Sequence, residues 1–61
     1  MSETINIYLL KGFVKTLRTN QVEISTKIRL AEAIRHRVKE DPNILEELGL
    51  TQQELDRFPR H

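Results

Sequence analysis

The chain has 61 residues with no cysteine and two histidines, which excludes a disulfide, a thiolate metal site and a histidine metal cluster. No apolar run approaches the roughly 18 residues that a membrane helix needs, and no signal peptide is visible. We therefore expect a soluble, cytoplasmic protein that makes no membrane contact. Residues 1–39 carry eight Lys or Arg against three Glu (net +5), whereas residues 40–61 carry two Arg against six acids (net −4). This division predicts a basic body, residues 1–40, that meets a polyanion, and an acidic tail, residues 41–61, with another role.

The first predicted element is a strand over residues 4–9. The run Thr-Ile-Asn-Ile-Tyr-Leu alternates polar and apolar residues. Alternation of this kind, with β-branched residues at the apolar positions, is typical of a strand with one buried face.

Residues 10–25 allow two interpretations. Leu10, Phe13, Val14 and Leu17 follow the spacing of one helical stripe. The β-branched and aromatic residues in this stretch favour strands instead, with turns at Lys11-Gly12 and Thr19-Asn20. The alternative fold is then a three-stranded meander over residues 4–10, 13–18 and 21–25. Periodicity is the stronger signal, so we place the helix ahead of the meander.

A second helix is predicted over residues 26–39, with Ser25 or Thr26 as its N-cap. Its apolar stripe is wide and consists of Ile28, Leu30, Ala31, Ile34 and Val38.

Two short helices follow in the tail. Asp41-Pro42 ends the long helix and starts the next one, and Gly49 is the expected C-terminal cap. The run Thr51-Gln52-Gln53-Glu54 is a capping box for a last helix that ends near Phe58-Pro59.

Residues 4–39 resemble the ribbon-helix-helix family of bacterial repressors and antitoxins. The alternating strand and the apolar intervals of the first helix carry this resemblance, and so do Leu30, Ala33 and Ile34 at five, eight and nine residues after Ser25. The stretch from Leu17 to Ser25 is about two residues shorter than the family pattern, and the usual Gly before the second helix is missing. The resemblance implies a mainly α fold with one short N-terminal strand, which pairs with the strand of a second chain.

The resemblance also implies residue roles. The ribbon would enter the DNA major groove and contact bases through Thr4, Asn6 and Tyr8. The phosphate contacts would be Lys11, Ser25, Thr26, Lys27 and Arg29. The homodimer core would consist of Ile5, Ile7, Leu9, Ile28, Leu30, Ile34 and Val38.

The predicted function is therefore a DNA-binding transcription regulator of the repressor or antitoxin type, acting as a homodimer. The sequence contains no nucleophile–base arrangement, phosphate loop or metal-ligand spacing, so we expect neither an enzyme nor a cofactor. The acidic tail would complete the fold or hold a protein partner through Leu45, Leu48, Leu55 and Phe58. The alternative function is a small protein-binding inhibitor or adaptor without a nucleic-acid role.

Overall fold

The computed structural model describes residues 2–60, and the side chains of residues 7–60. This part of the chain is all helical. Helix α1 spans Ser2–Leu17, α2 spans Ile24–Glu40, α3 spans Ile44–Leu48 and α4 spans Gln52–Arg57. Among these described residues no helix is both long and apolar enough to cross a lipid bilayer.

The predicted N-terminal strand is wrong, and so is the three-stranded meander, because residues 2–17 form one continuous helix. Ile7, Leu10, Val14 and Leu17 are spaced by three, four and three residues, which places them on one helical stripe. A lone strand would leave backbone N–H and C=O groups unpaired on both edges, whereas a helix pairs them internally. The mainly α composition was predicted correctly.

Helix α1 ends in a tightened last turn. The backbone N–H of Thr19 donates to the carbonyl of Thr16 at 3.1 Å, and the Thr19 hydroxyl donates to the carbonyl of Lys15 at 3.2 Å. Residues 18–23 then connect α1 to α2, and so short a connection makes the two helices antiparallel neighbours.

Helix α2 starts earlier than predicted. Glu23 occupies the N-cap position without a side-chain hydrogen bond, so neither Ser25 nor Thr26 is the cap; both lie in the first turn. The helix ends as expected before Pro42, because Asp41 is extended and its N–H donates to the carbonyl of Arg37 at 2.9 Å.

The short helices carry the predicted caps, with one change. Asn43, rather than Asp41, is the N-cap residue of α3, although the Asp41 carboxylate accepts the N–H of Asn43 at 3.2 Å. Gly49 ends α3 with a left-handed φ of 67°, and the N–H of Leu50 reaches back to the carbonyl of Leu45 at 2.9 Å. The Thr51 hydroxyl accepts the N–H of Glu54 at 3.0 Å.

One hydrophobic core joins all four helices. Both the predicted body and the predicted tail contribute to it. Its buried members are Leu10, Val14, Leu17, Ala31, Ile34, Val38, Ile44, Leu48, Leu50 and Leu55.

Candidate protein-binding groove

A groove of about 420 Å³ runs between α1 and α2 on the surface of the molecule. Residues 9–13 of α1 lie beside the second half of α2 there. We call it the α1–α2 groove, and its lining residues are Leu9, Leu10, Phe13, Ala33, His36, Arg37 and Glu40.

The floor of the α1–α2 groove is apolar. Leu10 is buried, and Phe13 and Ala33 are half-buried. Leu9 lies one helical turn before Phe13 and keeps 55% of its surface exposed, although it also lines the groove. The small side chain of Ala33 on α2 leaves room opposite these large side chains. An isolated exposed leucine is ordinary, but apolar side chains that share one groove are typical of a site that another molecule covers.

The α2 edge of the α1–α2 groove is polar. His36 and Glu40 are exposed and lie one helical turn apart. Arg37, which follows His36, is half-buried. The Nε atom of Arg37 is buried without a hydrogen-bond partner. Across residues 7–60, Arg37 also forms no ion pair with Glu40 or with any other carboxylate. The groove therefore combines an apolar floor with an edge on which Arg37 carries a positive charge and Glu40 a negative one.

Two arginines outside the tail, Arg35 and Arg18, connect the tail to helices α1 and α2. Arg35 of α2 donates to three carbonyls at the end of α4: Leu55 at 2.8 Å, Phe58 at 2.7 Å and Pro59 at 3.1 Å. Burial, and then the charge of Arg60, lower the pKa of Arg35, against the attraction of Asp56 and Glu32. Arg18 forms the second link, an ion pair with Glu54.

The residues predicted for partner binding in the tail belong to this packing. Leu48 and Leu55 are buried in the core, and Leu45 and Phe58 are half-buried against it. Leu48 and Leu55 are therefore not available to a partner, and Leu45 and Phe58 are available only in part. The prediction that the tail would complete the fold agrees with this arrangement.

The residues predicted for base contacts do not form a reading face. Because residues 2–17 are helical, position 6 is turned by about 200° from positions 4 and 8 and lies on the opposite side of α1. Tyr8 is exposed, and Lys11 lies over its ring with Nζ 5.8 Å from the ring centroid. The side chains of Thr4 and Asn6 lie outside the described residues.

The residues predicted for phosphate contacts are split between two places. Ser25, Thr26 and Arg29 are exposed in the first turns of α2, and Lys27 is half-buried beside them. Lys11 lies nearly two turns before the end of α1, away from this group.

The predicted dimer core is largely used within one chain. Ile34 and Val38 are buried in the core, and Ile7 and Leu30 pack against it. Ile28 is half-buried, Leu9 lines the α1–α2 groove, and the side chain of Ile5 lies outside the described residues. The homodimer itself stays a prediction, without the strand interface that motivated it.

The α1–α2 groove was missed from the sequence. Phe13 and Ala33 stood out only as apolar positions, and Arg37 only as one of several cations. Nothing local marks these residues as neighbours, since twenty positions separate Phe13 from Ala33. Within the described residues no three His, Asp or Glu side chains lie close enough to hold a metal ion.

The chain matches no protein-family model, no curated protein and no solved structure. Its function is therefore inferred from its geometry.

Proposed function

We propose that this chain is a small all-helical protein-binding module, of the inhibitor or adaptor kind, that holds a helix of its partner in the α1–α2 groove. The observation that carries the proposal is the exposed Leu9 beside the half-buried Phe13 and Ala33 in one groove. Grooves between two helices accept the apolar face of an amphipathic helix, with anchors spaced by three or four residues.

The fold supports a binding role because it supplies a rigid platform. The core residues of α1 and α2 lie on the stripes that face each other and the short helices, which leaves the groove face of both helices uncovered. Arg18 and Arg35 hold the tail in place by bonds to Glu54 and to the end of α4, away from the groove. A groove on packed helices keeps its shape before binding, which lowers the entropic cost of association.

A DNA-binding regulator remains a prediction, but residues 4–9, which were expected to form the strand that contacts the bases, are helical. The strand ribbon would have presented Thr4, Asn6 and Tyr8 on one face, and a helix does not do so. The α1–α2 groove is also unsuited to phosphate, because its floor is apolar and Glu40 lies on its edge.

The test begins with selection of displayed helical peptides against the immobilised full chain. Binding of the selected peptides is then measured for two variants, Leu9→Glu and Tyr8→Glu. These adjacent residues are both exposed on α1, at 55% and 68%, but only Leu9 lines the groove. We expect Leu9→Glu to weaken binding by about tenfold or more and Tyr8→Glu to leave it unchanged.

Two outcomes would overturn the proposal. One is a selection that yields no peptide whose binding depends on Leu9. The other is titration of a labelled random-sequence DNA duplex that shows tight, salt-dependent binding unaffected by Leu9→Glu, which would move the nucleic-acid role ahead.

A further inference from the structure

We infer that a second copy of this chain covers the α1–α2 groove in the free protein, and that the two copies form an antiparallel two-fold dimer. In this dimer α1 of one copy packs along α1 of the other, and α2 packs along α2. The inference rests on the proposed function where it adds a consequence, namely that the helix of a partner must displace the second copy from the groove.

The first argument is the charge pattern of the groove edge. Arg37 and Glu40 lie about one helical turn apart on α2, and both line the groove. Within residues 7–60 neither side chain forms an ion pair, so both charges remain available. A row with one positive and one negative charge attracts an identical row that runs in the opposite direction, because each charge then faces its opposite. The edge is therefore complementary to a second copy of itself, whereas an edge of a single sign would meet a like charge at one of the two positions.

This pairing defines where the two-fold axis lies. An axis that crosses α2 between positions 37 and 40 makes Arg37 of one copy face Glu40 of the second copy, and symmetry repeats the same contact on the other side of the axis. Because the Nε of Arg37 is buried, the contact uses only the outer nitrogens of the guanidinium.

The second argument is the position of the exposed leucine along the helices. The residues of α1 that line the groove together with Arg37 and Glu40 include Leu9 and Phe13. An axis that runs across both helices therefore also passes α1 near these side chains, and they meet the apolar side chains of the second α1. Leu9 is 55% exposed in the single chain, so the dimer removes apolar surface from water where the two copies touch.

The exposed lysines of α1 do not oppose this contact. Lys11 follows Leu9 by two residues, which turns it by about 200° around the helix. Lys15 has the same relation to Phe13. Neither lysine lines the groove, so the surface that meets the second α1 is apolar.

The first experiment measures self-association of the full chain by sedimentation over a range of concentrations. We expect the wild-type chain to dimerise and Leu9→Glu to weaken the dimer by about tenfold or more, because the change introduces a charge on both sides of the contact. Tyr8→Glu is the matched control, since Tyr8 is 68% exposed but does not line the groove, and it should leave the dimer unchanged. Circular dichroism of each variant verifies that the helices remain.

The second experiment tests the pairing across the axis with Arg37→Glu and Glu40→Arg. Each variant alone sets like charges against each other at both contacts, so each should self-associate about tenfold more weakly than the wild-type chain. Mixed in equal amounts, the two variants have opposite charges at both contacts and should form a heterodimer of about wild-type strength. A contact of Arg37 with Glu40 inside one chain would give no such recovery, because mixing leaves each chain unchanged.

The outcomes distinguish this inference from the proposed function. A chain that stays monomeric up to about 1 mM, a dimer that Leu9→Glu does not weaken, or a mixture without recovery would each overturn the inference. A peptide that binds through Leu9 should dissociate the dimer, and a dimer that such a peptide leaves intact would also overturn it. Leu9-dependent peptide binding by a monomeric chain would leave the proposed function standing, whereas a Leu9-dependent dimer that no peptide enters would remove the proposed function alone.

Discussion

Arg18, just after α1, holds Glu54 in the first turn of α4 with two hydrogen bonds of 2.8 Å, from Nε to Oε2 and from Nη2 to Oε1. The two residues are 36 positions apart in the chain. The same Nη2 donates to the carbonyl of Gly49 at 3.1 Å. This side chain therefore joins the end of α1 to the connection between α3 and α4 and to α4 itself.

The first prediction concerns the strength of this pair. A double-mutant cycle with Arg18→Ala and Glu54→Ala should give a coupling of about 0.2–1 kcal/mol, because the side chains are substantially exposed and water screens them. Arg18→Ala should cost more than Glu54→Ala, since it also removes the bond to Gly49. Urea unfolding of the four proteins measures both quantities.

The chain offers a matched control for that cycle. Arg60 and Asp56 form a longer pair of 3.5 Å, and both side chains are 58% exposed. Their coupling should be smaller than that of Arg18 and Glu54. An equal or larger coupling would show that the bidentate geometry of the first pair adds nothing.

The second prediction concerns the stability of the fold at low pH. The hydrogen bond from Arg18 lowers the pKa of Glu54, its positive charge adds to this effect, and partial burial opposes it. A carboxyl whose pKa is lowered by folding stabilises the folded state above its ordinary pKa of about 4.3, and this contribution is lost as the pH falls through the lowered value. The same bond raises the pKa of Arg18, which stays charged throughout.

Glu54→Gln tests the acid prediction, because glutamine does not titrate. The wild-type chain should be more stable than Glu54→Gln near neutral pH, and the difference should disappear in acid below the lowered pKa. Unfolding by urea at several pH values measures the difference. A difference that is constant over the whole range would mean that ionisation of Glu54 plays no part in stability.

The third prediction concerns the end of α4. Arg35→Met should destabilise the fold by about 1.5–3 kcal/mol, because three carbonyls lose a charged donor at once. Arg35→Lys should recover only part of this loss, since an ammonium does not reproduce the planar fork. Thermal unfolding followed by circular dichroism measures both variants.

Arg29→Met is the control for Arg35. Arg29 lies on the same helix, is exposed, and makes no hydrogen bond or ion pair among residues 7–60. Its replacement should change stability by no more than about 0.5 kcal/mol. If Arg35→Met were as mild as Arg29→Met, the three carbonyls would be equally well satisfied by water.

The fourth prediction compares the two glycines. An added Cβ would meet nothing within 4 Å at either position, so crowding does not distinguish them. Gly12→Ala should stabilise the chain by about 0.5–1 kcal/mol, because Gly12 lies inside α1 and alanine favours a helix. Gly49→Ala should destabilise it by about 1–2 kcal/mol, since its φ of 67° is left-handed. Urea unfolding should give shifts of opposite sign, and shifts of the same sign would contradict this account.

Several elements follow from short-range signals. The stripe from Leu10 to Leu17 predicted a helix, and Asp41-Pro42 predicted the end of α2. Gly49 and Thr51 predicted their caps correctly. In each case the decisive interaction joins residues within about one helical turn, so the local sequence contains the information.

The prediction of an N-terminal strand was wrong because the apolar residues in 4–9 fit both the two-residue period of a strand and the 3.6-residue period of a helix. Ile7 belongs to the alternating series with Ile5 and Leu9, and it also continues the helical series of Leu10, Val14 and Leu17. The residue types favoured a strand. The helix prevails because Ile7 packs against the core that Leu10 and Val14 form with α2, whereas no second strand is present among residues 2–60 to pair with the first.

The candidate site depended on tertiary structure altogether. Phe13 and Ala33 line one groove only because α1 and α2 pack antiparallel. The same packing carries Arg35 to the carbonyls that end α4. Helical periods assign each residue to a face of its own helix, but the angle and register at which two helices meet arise from the packing of all the side chains between them.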